Sequence, residues 1–138
     1  IAKVELVVGL DTFKPVTVDD PTLHVMHSER YRVEAGVLQQ CREAKRVIAV
    51  GTTSVRALES AAASGELHGR TRLFITRPYD WQLVDVMMTN FHLPRTTLLM
   101  MIDAFVGDRW RRLYDVALAE RYRFLSFGDA MLLDRRAT

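Results

Sequence analysis

The sequence predicts an α/β protein, a layered α/β/α sandwich built on a mixed sheet. Three observations carry that expectation. Short apolar runs recur along the chain, and between them lie stretches with apolar residues three and four apart, the alternation that layers helices on a sheet. The stretch Val47-Ile-Ala-Val-Gly-Thr-Thr-Ser-Val-Arg-Ala-Leu-Glu59 shows the unit in miniature: an apolar run breaks at Gly51 into three hydroxyl residues, then takes up helical spacing at Val55, Leu58 and Ala62. The chain also starts at Ile1 rather than Met and enters directly into the alternating Val4, Leu6 and Val8. It is therefore expected to be a piece of something longer, its fold incomplete without an upstream part.

Taken in order, Ala2 to Val8 reads as a strand and Gly9-Leu-Asp-Thr-Phe13 as the loop leaving it. Lys14 to Asp20 suits a short extended piece, and Asp19-Asp20-Pro21-Thr22 carries turn chemistry. Tyr31 and Val33 alternate with Arg30 and Arg32, which predicts a strand, and Val37, Leu38 and Cys41 place a helix over 35–45. Val47 to Val50 suits a strand buried on both faces. The helix after it ends within Gly65 to Gly69. Short strands are expected over 72–76 and over 83–88, the latter ending in Thr89-Asn90, with a Pro78-containing turn between them. Pro94 is tolerated in a first turn, so a helix is predicted to begin at His92-Leu-Pro-Arg95 and to bury Leu98, Leu99, Ile102 and Phe105. Asp108 can cap a second helix with Trp110, Leu113, Tyr114, Ala117 and Leu118 as its stripe. A last strand is expected over 122–133, broken at Gly128.

Composition narrows the function classes. With 138 residues, 49% hydrophobic and 26% charged, the chain has the make-up of one soluble domain and excludes disorder and collagen-like structure. No apolar run approaches the roughly 20 residues that span a bilayer, so no membrane is expected and a cytoplasmic location is the default. Cys41 stands alone and Cys and His are scattered, so neither an internal disulfide nor a metal site is expected. A net charge of +2 does not mark the whole molecule as a nucleic-acid binder. All basic residues but Lys3, Lys14 and Lys45 are arginines, whose planar fork suits phosphate and carboxylate; a genomic compositional bias explains the same preference.

The helix start after Val47–Val50 is where α/β proteins receive anions, because the first N–H groups and the helix dipole both favour negative charge. Thr52, Thr53 and Ser54 each offer a capping hydroxyl, yet none has a Glu or Gln three positions on. The stretch is thus either a ligand site or an ordinary strand-to-helix junction with hydroxyl caps.

Four blocks occur in order: Met26-His-Ser-Glu29, Gly51-Thr-Thr-Ser-Val-Arg56, Thr89-Asn-Phe-His-Leu-Pro94 and Phe127-Gly-Asp-Ala-Met131. In these the chain resembles the C-terminal portion of the S-adenosylmethionine:tRNA ribosyltransferase-isomerase family of queuosine biosynthesis, from about Val8 to Leu133. The resemblance implies transfer and isomerisation of the ribosyl group of S-adenosylmethionine onto 7-aminomethyl-7-deazaguanine at the tRNA wobble position. Epoxyqueuosine would form, and adenine and methionine would leave. S-adenosylmethionine enters as co-substrate without a metal, the partners are the precursor-bearing tRNA and the small-molecule donor, and the protein is expected to be a monomer. The alternative is a non-catalytic relative or fragment that binds tRNA or a nucleoside ligand.

Within that resemblance Asn90 and His92 flank a strand end as catalytic candidates, with His92 the leading general acid–base group. His27 and Glu29 would share a face of an extended segment as a proton-handling pair, or stand as a surface pair. Gly51, Thr52, Thr53 and Ser54 are assigned to donor binding, with Arg56 directed at the anionic end of a ligand or paired with Glu59 along the helix. Asp129 would bind a ribose hydroxyl or the donor's amine, or finish a turn. Two loops depart from the family pattern: Asp11 replaces a glycine in Gly9-Leu-Asp-Thr-Phe13, and Arg77-Pro78-Tyr79 stands where Pro-Gly-Tyr is usual.

Overall fold

The computed structural model describes residues 1–9, 16 and 24–136. The expected loop over 10–13, the extended piece after it and the Asp19–Thr22 turn lie outside the described residues, Val16 excepted, as does Asp11. Ten elements follow in order: β1 (Val4–Val7), β2 (Glu29–Val33), α1 (Ala35–Glu43), β3 (Ile48–Val50), α2 (Thr52–Ser64), β4 (His68–Thr71), β5 (Val86–Asn90), α3 (Thr97–Val106), α4 (Arg109–Ala119) and β6 (Ala130–Asp134). The α/β class is as expected, with the strands in two three-stranded sheets. One is antiparallel with the order β1-β2-β4; the other is mixed, β3-β5-β6, with β3 parallel and β6 antiparallel to β5.

Helix α2 joins the two sheets because it carries an apolar face that each can use. Val55, Ala57, Leu58 and Ala61 are buried, and the helix packs against β1 and β2 of one sheet and β3 and β5 of the other. Its ends are set by glycines. Gly51 occupies the N-cap at φ 87°, and Gly65 closes the C-terminus in the left-handed conformation, its N–H donating to the Ala61 carbonyl. The rest of the core comes from Met87, Leu133 and Met131 on one sheet face and from Leu99, Ile102 and Phe105 of α3.

Six expectations are corrected. Strand β3 is not buried on both faces: Ala49 is enclosed, whereas Ile48 and Val50 are 56% and 66% exposed. The strand expected over 72–76 is absent; pairing with β2 captures His68–Thr71 instead, and the following segment is irregular. That segment still delivers Ile75, Trp81 and Val84 to the core. It is pinned by Glu59, a fully buried carboxylate that accepts the N–H groups of Gln82, Leu83 and Val84 at 2.9–3.0 Å. Helix α3 starts at Thr97, not at His92, because the Thr96 hydroxyl accepts the Leu99 N–H as a cap and Arg95, at φ 58°, breaks any earlier turn. Asp108 does not cap α4 with its side chain; its carboxylate is drawn to Arg77, which also forks onto Asp103. The stripe on α4 is narrower than its spacing suggests, with Tyr114 and Ala117 buried and Leu118 63% exposed. Finally, β6 covers only Ala130–Asp134, and residues 124–128 form turns with Leu125 at φ 59°.

Candidate active-site cleft

Parallel strands β3 and β5 end side by side, and what leaves each strand builds a cleft of about 540 Å³ at their carboxyl ends. From β3 the chain turns through Gly51 into α2. From β5 it continues through Asn90 into the loop that carries His92. Gly51, Thr52 and Thr53 thus face Thr89, Asn90 and His92, with Thr96 and Ser126 closing the rim. This is the topological position at which open α/β sheets take ligands.

The Gly51 turn requires glycine: its φ of 87° lies in the region that a side chain resists. A glycine N-cap has no side chain to satisfy the first amides of α2, and no other side chain among the described residues caps them. The Gly51 N–H is used within the sheet, donating to the Met88 carbonyl at 2.8 Å. The cleft is therefore floored by a helix N-terminus with donors to spare.

His92 is 8% exposed, and burial lowers its pKa to about 4, so its imidazole is neutral across the physiological range. One ring nitrogen, Nε2, lies 3.0 Å from the Thr89 hydroxyl. The His92 backbone N–H donates to the Tyr114 hydroxyl at 2.8 Å, which ties the loop to α4. Tyr114 in turn stacks edge-on against Phe91. Asn90 donates through Nδ2 to the Asp129 carbonyl at 3.1 Å, linking the cleft to the turn before β6.

The sequence candidates divide among three places. Gly51, Thr52, Thr53, Asn90 and His92 meet in the cleft. His27 and Glu29 line a separate, smaller hollow beside Gly9 and Arg70. There Glu29 is buried and His27 exposed; the Glu29 carboxylate accepts from Arg56 through one oxygen and from the Gly9 N–H through the other. Arg56 is consequently not paired with Glu59. It is 3% exposed, ion-paired to Glu29, and its Nε and Nη2 are buried without partners. Ser54 turns away from the cleft and donates to the Val50 carbonyl. The Asp129 carboxylate finishes a turn, accepting the Arg123 N–H at 2.5 Å, and that bond holds its pKa below the usual carboxylate range. Thr89, Thr96, Ser126 and Tyr114 were not singled out from the sequence. Thr89 lay inside a motif block, whereas Tyr114 reaches His92 from 22 residues away with no local signal.

Fold and cleft together define an α/β protein in which a cleft at the carboxyl ends of two parallel strands sets a helix N-terminus beside a buried neutral histidine. The model of the queuosine biosynthesis protein family matches residues 1–133. An S-adenosylmethionine:tRNA ribosyltransferase-isomerase of Thiobacillus denitrificans is 53% identical over 97% of this chain and 41% of its own length. A protein of the same name from Rubrobacter xylanophilus is also 53% identical, over 96% of this chain and 40% of its own. Among solved structures, the S-adenosylmethionine tRNA ribosyltransferase of Thermotoga maritima superposes with a TM-score of 0.71 at 48% identity, covering 75% of this chain and 40% of that one. The chain belongs to the queuosine biosynthesis protein family. It spans about two-fifths of the length of the curated relatives it matches.

Proposed function

We infer that this chain forms part of an S-adenosylmethionine:tRNA ribosyltransferase-isomerase. The reaction moves the ribosyl group of S-adenosylmethionine onto 7-aminomethyl-7-deazaguanine in the tRNA wobble position and isomerises it, forming epoxyqueuosine and releasing adenine and methionine. The observation that carries this reading is the convergence of the uncapped α2 start with Asn90 and His92 in one cleft, in a chain half identical to proteins of that name. S-adenosylmethionine is the co-substrate and precursor-bearing tRNA the acceptor; the compartment is the one that holds the tRNA. No helix among the described residues is long and apolar enough to cross a membrane.

The site supplies three of the functions this chemistry needs. The N–H groups of Thr52 and Thr53, which no side chain among the described residues caps, suit the carboxylate of the donor's methionine end or a tRNA phosphate. His92, neutral because it is buried, presents an unprotonated imidazole for proton handling next to the sulfonium, and Thr89 orients the ring. Asn90 offers a side-chain carbonyl to the cleft once its amide is committed to Asp129.

The test is made in a chimera whose matching region of the Thiobacillus denitrificans relative is replaced by these 138 residues. Incubated with S-adenosylmethionine and precursor-containing tRNA, it should release adenine, and His92→Ala should slow that release by about 100-fold or more. Adenine release no greater than that of the His92→Ala variant would sink the reading.

A further inference from the structure

The two sheets are separated by an apolar slot, and we propose that it is the seat of an additional β-strand supplied by the part of the family polypeptide that this chain does not span. The proposal rests on family membership and relative length, not on the activity inferred above.

The slot runs from the edge of β3 to the entry of β1, where residues 1–3 lead into the strand at Val4. Its volume is about 590 Å³, with residues 1–4 along one side and 47–50 along the other. Strand β1 pairs only with β2, and β3 only with β5, among the described residues. The ladder shows which backbone groups are left over. Val86 N–H donates to the Val47 carbonyl and Gly51 N–H to the Met88 carbonyl, so Val47, Ala49 and Gly51 address β5. By the alternation of a parallel ladder, the N–H and C=O groups of Ile48 and Val50 point to the slot. Of these the Val50 carbonyl takes the Ser54 hydroxyl. The floor is already laid: Val37 and Cys41 of α1 and Leu58 of α2 lie beneath the gap. A strand placed there would complete the hydrogen bonding of both edges over an apolar support and join the two sheets into one.

A second observation agrees. Val50, Met88 and Leu132 are in lateral register across β3, β5 and β6, so they share one sheet face. They are 66%, 43% and 67% exposed, and Ile48 beside them 56%. A contiguous apolar stripe on a sheet face marks an interaction surface, and an unguarded apolar edge strand is a template for strand addition. The occupant is assigned by length. The curated relatives carry about three-fifths of their length outside the region this chain matches, which is ample for a strand with its connections.

Amide hydrogen exchange tests the assignment. In the chimera with the Thiobacillus denitrificans relative, the Ile48 and Val50 amides should exchange about 100-fold more slowly than in the isolated chain, because they acquire strand partners. The double variant Ile48→Lys/Val50→Lys should leave the melting temperature of the isolated chain unchanged and abolish the protection in the chimera. Should the chimera misfold, the relative's remaining portion added in trans to the isolated chain gives the same readout. Equal exchange with and without the additional polypeptide overturns the proposal. So does protection in the isolated chain that rises with its own concentration alongside a dimer in sedimentation, since the occupant would then be a second copy.

Discussion

At the scale of single residues, His92, Glu59 and Arg56, all buried, make distinct predictions. The folded-state pKa of His92, about 4, lies below the 6.5 of an exposed histidine. The unfolded chain therefore takes up this proton first as pH falls, so stability is flat above about pH 7 and declines between 6.5 and 4. Thermal melts across that window should show the decline, and His92→Gln should flatten it. Glu59 accepts three successive backbone N–H groups and has no room for water. Glu59→Ala orphans all three and should cost about 3 kcal/mol or more in a denaturant titration. Arg56, expected from the sequence to point at the anionic end of a ligand or to pair with Glu59, is instead buried against Glu29. It thereby acquires a part in folding, because removing one partner strands the other charge. Arg56→Ala should lose about 3–5 kcal/mol, and Arg56→Met combined with Glu29→Leu should recover most of it.

Among the elements, the β3–Gly51–α2 unit was legible from sequence because every level agrees there: an apolar run, a glycine where φ must be positive, and helical spacing after it. The same turn yields a prediction. A Cβ on Gly51 would meet nothing within 4 Å, so Gly51→Ala costs only backbone strain, roughly 1–3 kcal/mol, read as a lowered denaturation midpoint. Where local and tertiary preferences diverge, the sequence misleads. Leu73-Phe-Ile75 has strand composition, yet the pairing partner of β2 is His68-Gly-Arg-Thr71, fixed by the Arg70 fork onto Ser28. Pro94 can begin a helix, but the Thr96 cap lies two residues later and leaves His92 in the loop where the cleft needs it. The cleft was half legible for the same reason. Gly51, Asn90 and His92 sit next to recognisable strand ends, whereas the distant partners of Glu29, Arg56 and Asp129 are decided by packing that no short window reports.

Across the whole molecule, the exposed strip on β3, β5 and β6 is formed by residues other than those that line the cleft, so strand addition and ligand binding in the cleft can be measured apart. If tRNA is a partner, its affinity for the chimera should fall steeply between about 50 and 200 mM salt, since phosphate contacts release counterions. Filter binding at two salt concentrations decides it, and salt-independent binding would count against a tRNA site. The parallel pairing of β3 with β5 has a further, kinetic consequence. Ile48 meets Val86 only after the intervening chain has closed a long loop through α2 and β4, so the two halves of the cleft do not meet until that closure is complete. During refolding the ability to bind the proposed donor should therefore appear late, after α2 has formed. A ligand that arrives then would slow reopening of the β3–β5 pair, acting as a latch on the last step of folding.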